Sequence, residues 1–243
     1  MRAVVDALLS VLVAAPCAVC GHTLEQPTRG PVCPACWCSI LPLTPPLCDA
    51  CGDPLPTWRT ISRPLARCAR CRRSTRHVDR SRAVGLYEGA LRAIVHALKY
   101  EGRRSLAVPL AMLMRERGAD LLDGAHAAVP VPLHPSRRRA RGFNQAADLA
   151  KHLGLPISPA LRRVRATEAQ AGLPAARRHG NVRGAFVATR AAAQFRGRTI
   201  LLVDDVSTTG ATLEACARAL KEEGIREVRA LTAARVPTGG GPG

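Results

Sequence analysis

The stretch Thr199-Ile200-Leu201-Leu202-Val203-Asp204-Asp205-Val206-Ser207-Thr208-Thr209-Gly210-Ala211-Thr212 decides the fold of this chain. An apolar run ends in two adjacent carboxylates, and small hydroxyl residues, a glycine and a helix-like segment follow. This order predicts a buried strand, a loop and a helix N-terminus. Backbone N–H groups at the start of a helix favour an anion, and the two carboxylates can accept hydrogen bonds from vicinal hydroxyls. The stretch therefore predicts a site for a phosphorylated ribose.

Strands and helices alternate on both sides of this stretch, from residue 82 onward. The expected strands are 82–87, 127–131, 198–203 and 227–234, and the expected helices are 90–100, 105–117, 144–153 and 211–224. Ser105 is the expected N-cap of the second helix. Such alternation is typical of an α/β domain with a mostly parallel sheet flanked by helices. We expect this domain to span residues 81–236, followed by a disordered Gly/Pro-rich tail at 237–243.

The N-terminal part of the chain is dominated by cysteine. Eight of the ten cysteines form four C-x-x-C pairs: Cys17/Cys20, Cys33/Cys36, Cys48/Cys51 and Cys68/Cys71. Two such pairs can surround one zinc ion tetrahedrally, and four thiolates leave no open position for chemistry. The spacing therefore predicts a small zinc-finger domain over residues 1–80 with one or two structural zinc ions. Two sequential sites are the simplest pairing, and a crossed pairing of the first pair with the third stays open at this point. Cys216, in the last helix, is expected to be buried.

The chain is strongly basic, with 36 Lys and Arg, 18 Asp and Glu, and a formal net charge of +18. Two zinc ions and eight thiolates would leave residues 1–80 nearly neutral, so most of the positive charge lies in the second domain. Such a balance favours polyanionic partners. No apolar run is long enough to span a bilayer. Residues 4–13 are interpreted as a short packed helix rather than a signal peptide, and the expected location is cytoplasmic.

Four arginines follow the end of the second predicted strand: Arg137, Arg138, Arg139 and Arg141. Open α/β sheets place ligands beyond the carboxyl ends of their strands, so this cluster is expected to contact nucleic acid or pyrophosphate. Residues 165–186 contain few large apolar residues and no clear period. They are predicted to form a long loop that acts as a lid, with Arg178 among its polar candidates.

The motifs together resemble the ComF family of competence-associated, phosphoribosyltransferase-like proteins. The matching pieces include the C-x-x-C pairs, Leu98-Lys99-Tyr100, Val129-Pro130-Val131-Pro132-Leu133-His134, Arg141-Gly142-Phe143-Asn144-Gln145, Arg178-x-x-Asn181 and the Asp204 to Thr212 loop. The resemblance covers nearly the whole chain, from about Cys17 to Arg235. It implies a type I phosphoribosyltransferase fold preceded by a zinc finger.

The resemblance also implies a ligand and a set of roles. Phosphoribosyl pyrophosphate (PRPP) would bind with magnesium, and single-stranded DNA would be handled during natural transformation. Asp204 and Asp205 would contact the ribose hydroxyls, while Lys99 would lie near the pyrophosphate and Arg178 would belong to the mobile flap. These four are the candidate catalytic residues. The candidates for binding the 5′-phosphate are Ser207, Thr208, Thr209, Gly210, Ala211 and Thr212.

Three functions stay open from the sequence. The first is a transferase that moves phosphoribose from PRPP to an unidentified acceptor. The second is a nucleic-acid-binding protein that keeps the ribose-phosphate site as a ligand sensor. The third is an assembly factor that docks on the DNA-uptake helicase or translocation machinery.

Overall fold

The sheet is built around the strand of residues Thr199–Ser207, here called β5. The computed structural model describes residues 15–55, 66–165, 182 and 184–236, and it places β5 inside a four-stranded sheet. Residues 199–203 of this strand are buried, as expected for a parallel strand that is covered on both faces. The predicted order of strand, loop and helix is confirmed.

All pairings in the main sheet are parallel. Its strands, in spatial order, are β1 Arg80–Leu86, β6 Glu227–Arg235, β5 Thr199–Ser207 and β2 Ala127–Pro130. Two short strands, β3 Leu161–Arg163 and β4 Phe186–Ala188, form a separate antiparallel sheet. The predicted α/β fold with a mostly parallel sheet is therefore confirmed.

Helices of at most twelve residues connect these strands in the described part of the chain. They are α1 Pro34–Cys38, α2 Ala69–Arg73, α3 Gly89–Tyr100, α4 Ala107–Arg117, α5 Ala119–Leu122, α6 Pro135–Arg141, α7 Gln145–Ala150 and α8 Ala211–Glu222. Three-residue and six-residue 3₁₀ segments lie at Pro27–Arg29, Arg104–Leu106 and Arg190–Phe195. Within the described ranges, every helix is too short or too polar to cross a membrane.

Both faces of the sheet are covered by apolar side chains. On one face, Leu201 and Val203 pack with residues of α3 and α4 such as Leu98 and Met114. On the other face, Ile200 and Leu202 pack with residues of α8 that include the fully buried Cys216. This division follows from the alternation of side chains along a strand.

Strand β5 is longer than the sequence predicts. It continues through Asp204 and Asp205 to Ser207, because β6 keeps pairing with it as far as Arg235 opposite Ser207. The expected end at Val203 is wrong, since the pairing partner outweighs the low strand propensity of two aspartates.

The prediction that Ser105 caps the second helix is also wrong. Ser105 lies inside the 3₁₀ turn Arg104–Leu106, and α4 begins at Ala107 without a capping side chain. The expected helix at 144–153 begins instead with Asn144 as its N-cap, and the Asn144 side chain accepts a hydrogen bond from the N–H of Ala146.

Several predictions concern residues outside the described ranges. These are the helix at 4–13, most of the lid at 165–186 with its Arg178, and the tail at 237–243. The proposed boundary between residues 80 and 81 stays a prediction.

The cysteine-rich segment lies against the outer edge of β1. The N–H of Leu86 donates a hydrogen bond to the carbonyl of Leu41 at 2.9 Å, and Arg82 donates to the carbonyl of Asp49 at 3.3 Å. A Cβ atom at Gly85 would collide with the Leu41 carbonyl oxygen, so this close approach requires glycine. The N-terminal region therefore covers the edge of the sheet.

Candidate functional site

The two carboxylates of β5 point in different directions because they are consecutive residues of a strand. Asp205 reaches the side of the sheet that α3 covers, where it meets Lys99. Asp204 interacts with residues of the opposite side, because Arg163 lowers its pKa and the Asp204 charge adds to the burial that raises the pKa of the Cys216 thiol. The backbone N–H of Asp205 donates to Asp204 Oδ1 at 2.9 Å. The carboxylates thus form a rim across the end of the strand.

Lys99 and Asp205 form a nearly buried ion pair. Lys99 Nζ lies 2.9 Å from Asp205 Oδ1, and the side chains are 15% and 5% exposed. Burial alone would lower the pKa of Lys99, but the adjacent Asp205 carboxylate outweighs it and raises that pKa. The second oxygen, Asp205 Oδ2, is buried without a hydrogen-bond partner among the described residues. An unpartnered buried acceptor is costly, so this oxygen is suited to a hydroxyl donor or a hydrated cation.

Asp204 titrates near neutral pH. Burial, together with repulsion from the Asp205 carboxylate, raises the pKa of Asp204 to about 7. Lys99 and Arg163 oppose this rise without cancelling it. The arrangement therefore keeps one carboxylate paired and leaves its neighbour able to exchange a proton under physiological conditions.

The loop after β5 is short and tightly built. Three residues, 208–210, separate β5 from α8, and Gly210 adopts a left-handed conformation with φ of 80° at the N-cap. Thr209 is buried, and its hydroxyl accepts a long hydrogen bond of 3.4 Å from the N–H of Ala211. The first N–H groups of a helix lack intrahelical partners and point outward. We call residues 207–212 the phosphate loop, because this geometry is suited to an anion.

The predicted arginine cluster forms a helix, α6, which begins after His134. The Nδ1 atom of His134 caps it by accepting from the N–H of Ser136 at 3.3 Å. Arg138 and Arg139 are exposed, whereas Arg137 and Arg141 are half-buried. We refer to α6 as the arginine helix.

Arg141 connects the arginine helix to the carboxylate end of β5. Its guanidinium lies 5.2 Å from the ring centroid of Tyr100 and donates to Gln145 Oε1 at 2.7 Å. Tyr100 follows Lys99 directly in α3. Arg141 therefore lies next to the segment that carries the ion pair with Asp205.

A cavity of about 510 Å³ lies between the arginine helix and β3. Arg138, Arg139, Arg162 and Arg163 line it together with five apolar residues or glycine, namely Pro132, Leu133, Pro135, Gly142 and Leu161. Burial, with a contribution from Arg137, lowers the pKa of Arg163, which shows how closely the positive charges are packed. None of these lining residues is acidic, so the cavity favours an anion.

The cysteines gather into two groups of four. The first cysteine cluster is Cys17, Cys20, Cys33 and Cys36, and the second is Cys48, Cys51, Cys68 and Cys71. Within each cluster the sulfur atoms lie within 4.8 Å of one another. The sequential pairing is therefore correct for the described residues, and the crossed pairing is excluded.

The sulfur spacing fits a tetrahedral metal. Zinc–sulfur bonds of about 2.3 Å place the sulfurs of a tetrahedron about 3.8 Å apart. The observed separations are 3.8 Å between Cys20 Sγ and Cys33 Sγ, and 3.7 Å between Cys51 Sγ and Cys68 Sγ. Hydrogen bonding to Cys51 lowers the pKa of Cys48, while hydrogen bonding to Cys48 raises that of Cys71. Four thiols this close together cannot all ionise in the absence of a cation, because the thiolates would repel one another. A bound metal ion would allow all four to ionise.

Comparison with known proteins places the chain in a family. Residues 139–242 match the family described as phosphoribosyl transferase domain. Competence protein F of Haemophilus influenzae is 30% identical over an alignment that covers 78% of this chain and 85% of that protein. This chain belongs to the ComF family. Another ComF relative, the DNA utilization protein YhgH of Salmonella typhimurium, is 34% identical over 75% of this chain and 81% of its own. Competence protein ComFC of Bacillus subtilis is 27% identical over 79% of each chain.

The sequence predicted most residues of the candidate site but did not single out two arginines. The structure places Lys99, Asp204, Asp205 and the phosphate loop at one end of β5, whereas Arg178 lies outside the described residues. Arg163 and Arg235 were not predicted, and both are buried. Arg235 ends an apolar strand opposite Ser207, and a charge in that position is a signal that the sequence did contain.

Proposed function

We propose that this chain binds PRPP with Mg²⁺ at the end of β5 and binds single-stranded DNA through its arginine helix during DNA uptake. The observation that carries the PRPP assignment is the carboxylate rim of Asp204 and Asp205, which directly precedes the phosphate loop. Its acceptors match the hydroxyls of a ribose, and the N-terminus of α8 matches a 5′-phosphate. Lys99 and Arg141 supply positive charge near the place where the pyrophosphate would lie.

The end of β5 also offers the oxygen ligands that Mg²⁺ prefers. Hard divalent cations prefer carboxylate, water and phosphate oxygens, and Asp205 Oδ2 is a buried oxygen without a described partner. When bound, Mg²⁺ would neutralise the pyrophosphate charge. The chain itself orients the ribose through its two carboxylates and the phosphate through backbone N–H groups.

Calorimetric titration with PRPP and Mg²⁺ tests this assignment. We expect the double variant Asp204→Asn with Asp205→Asn to lose affinity by at least about 100-fold, because the ribose would lose its charged acceptors. Asp120→Asn is the matched control, since the Asp120 side chain is 43% exposed and pairs with Arg80 and Arg82 of β1 rather than with a residue at the end of β5. Unchanged affinity in the double variant would place the ligand elsewhere.

The DNA assignment rests on charge. Four arginines line the cavity and provide contacts for backbone phosphates. Two of them, Arg138 and Arg139, lie on the exposed side of the arginine helix. Aromatic residues form only 3% of the chain, which limits base stacking and favours binding without sequence preference. The named relatives are competence and DNA utilization proteins, which agrees with this role.

The two cysteine clusters are proposed to hold one structural zinc ion each. Four thiolates close the coordination sphere, so the metal would stabilise the fold without taking part in chemistry. Metal analysis of the purified chain should give two zinc ions per molecule. Disulfides in place of zinc under reducing purification would contradict this assignment.

Transfer of phosphoribose to an acceptor is a second candidate function. The observation that favours it is the pKa of about 7 for Asp204, which lets this carboxylate exchange a proton at neutral pH. In such a reaction the acceptor nucleophile bonds to C1 of the ribose as pyrophosphate leaves. Pyrophosphate release that depends on one added base or amine would support it, and tight DNA binding without any release would favour the binding function alone.

The cellular setting follows from the same proposal. Clusters of reduced thiols suit a reducing compartment, so we infer a cytoplasmic location beside the DNA-uptake helicase or translocation machinery. Crosslinking in competent cells should recover this chain together with uptake components. Recovery from an oxidising compartment would contradict the location.

A further inference from the structure

The second cysteine cluster is connected to the phosphate loop by side chains that neither zinc binding nor PRPP binding explains by itself. Arg76 Nη1 donates to Cys71 Sγ at 3.3 Å. Arg76 Nη2 lies 2.6 Å from Glu214 Oε1, in the first turn of α8. The Arg76 and Glu214 side chains are only 14% and 19% exposed. One guanidinium therefore joins a metal-ligand sulfur to the helix whose N-terminus forms the phosphate loop.

The loop itself lies close to this bridge. A Cβ atom built on Gly210 would be 3.6 Å from Arg76 Nη2. Glu214 is bound on its second oxygen as well, since Oε2 accepts from the N–H of His77 at 2.8 Å. Residues 76 and 77 thus hold the first turn of α8 from the side of the cysteine cluster.

A second connection reaches the other end of the loop. Asp53, two residues after Cys51, accepts from Arg235 Nε, and Arg235 Nη1 donates to Ser207 Oγ at 3.3 Å. Arg70, next to the ligands Cys68 and Cys71, donates to the other Asp53 oxygen at 3.0 Å. The backbone carbonyl of Asp53 also accepts from the N–H of Cys48 at 2.8 Å. Ser207, at the start of the phosphate loop, is therefore hydrogen-bonded to an arginine that Asp53 of the second-cluster segment holds, and Gly210 lies beside Arg76.

We propose that Arg76 and Arg235 are positioning residues that couple the second cysteine cluster to the phosphate loop, so that metal in this cluster tightens the binding of PRPP. The physical reason is that both guanidinium groups are largely shielded from solvent and make directional hydrogen bonds, Arg76 to the ligand Cys71 and Arg235 to Asp53, which follows the ligand Cys51 by two residues. When the metal leaves, Cys71 and Asp53 lose their fixed positions, and the two supports of the loop relax. This inference rests on the proposed binding of PRPP at the loop.

Coupling between two sites is reciprocal, and this provides a test independent of catalysis. If metal tightens PRPP binding, then PRPP must tighten metal binding by the same factor. The experiment measures chelator-driven zinc release from the full chain with a colorimetric indicator, in the presence and absence of PRPP and Mg²⁺. PRPP should slow the release of one of the two zinc equivalents by about 5-fold or more and leave the other unchanged.

Variants of the bridge identify which contacts transmit the effect. Arg76→Gln should weaken PRPP binding by about 10-fold and abolish the slowing of zinc release, while the chain still contains two zinc ions. Arg76→Lys keeps the positive charge but loses the planar guanidinium that can bind Cys71 and Glu214 at once. It should therefore restore part of the PRPP affinity and part of the slowing of zinc release. Arg218→Gln is the matched control, because Arg218 also pairs with a glutamate of α8, Glu222, on an exposed face.

Glu214→Gln serves as the second variant in case Arg76→Gln fails to fold. It keeps the side-chain shape and an acceptor for His77 while removing the charge partner of Arg76, and the same loss of coupling is expected. If the wild-type chain binds PRPP and either folded variant keeps the full slowing of zinc release, this inference is wrong. If the wild-type chain does not bind PRPP in the calorimeter, the proposed function is wrong, and this inference is overturned with it.

Discussion

Each of the two cysteine clusters consists of two C-x-x-C pairs, but the clusters differ in their surroundings. In the first cluster Cys20 is exposed, and Cys17 and Cys36 pack with apolar residues against helix α3. In the second cluster Cys48 and Cys51 are fully buried, and charged residues connect it to β6 and α8. The comparison teaches that two similar cysteine clusters can differ in their structural role: the first packs among apolar residues, whereas charged side chains connect the second to both sides of the phosphate loop.

The largest expected difference in PRPP binding and stability is between variants that lack the second cluster and variants that lack the first. We expect Cys48→Ser with Cys51→Ser to abolish both PRPP binding and the cooperative unfolding transition, since metal sites of this kind contribute about 10–16 kcal/mol. Cys17→Ser with Cys20→Ser should lose one zinc ion and lower the unfolding midpoint, yet keep PRPP affinity within a few-fold. Metal analysis, thermal unfolding and calorimetry check this. Equal losses for the two variants would remove the distinction between the clusters.

The buried ion pair behind the second cluster gives the next largest effect. Asp53→Asn would leave Arg235, which is 3% exposed, without its charge partner. Breaking a buried pair in this way costs about 3–5 kcal/mol of the free energy of unfolding. Urea denaturation should show this loss, whereas Asp120→Asn, at an exposed pair with Arg80, should change stability by less than about 1 kcal/mol.

A pH titration examines the carboxylate rim that precedes the phosphate loop. The pKa of Asp204 is raised from 3.8 to about 7 in the folded chain, so folding takes up a proton between these values. The stability that this proton provides is fully present below about pH 4 and is lost as the pH rises through 7. Asp204→Asn should flatten this decline and raise the free energy of unfolding at pH 8 by at most about 4 kcal/mol.

Urea unfolding at several pH values measures this effect. Cys20→Ser, at the exposed ligand of the first cluster, should retain the wild-type decline between pH 5 and pH 8. A decline that persists unchanged in Asp204→Asn would assign the titration to another group.

The smallest expected effect concerns DNA. Arg138→Gln with Arg139→Gln should reduce the slope of log affinity against log salt by roughly one to two, because two phosphate contacts are lost. Arg72→Gln with Arg73→Gln is the matched control, since these are also adjacent exposed arginines, but on α2 beside the second cluster. Fluorescence anisotropy with a labelled single strand measures both slopes. Equal reductions would indicate a diffuse basic surface rather than a site at the arginine helix.

Local patterns predicted the fold where a single signal was strong. The apolar run from Ile200 to Val203 predicted a buried strand of a parallel sheet, and the C-x-x-C spacing predicted metal-type cysteine groups. The spacing left two pairings of the cysteines open, and only the structure excluded the crossed one. The extension of β5 to Ser207 did not follow, because it depends on pairing with β6 rather than on the residues of β5.

Long-range ion pairs were beyond sequence reasoning for a different reason. Arg76 and Glu214 are 138 positions apart, and Asp53 and Arg235 are 182 apart. In a chain with 36 basic residues, nothing local distinguishes a buried arginine from a solvated one. Only the packing of the cysteine-rich segment on the sheet selects Arg76 and Arg235, so the contacts of these two arginines emerge at the level of tertiary structure.

The contact of Leu41 with Gly85 has a consequence for how the chain can be divided. Strand β1 ends the hydrogen-bonded order of the sheet, and residues 40–52 shield its outer side. A fragment starting at residue 80 would present bare backbone donors and acceptors, flanked by a glycine that offers no steric hindrance to an approaching strand. Such a fragment should self-associate in solution, because the cysteine-rich segment would no longer cover the outer edge of β1.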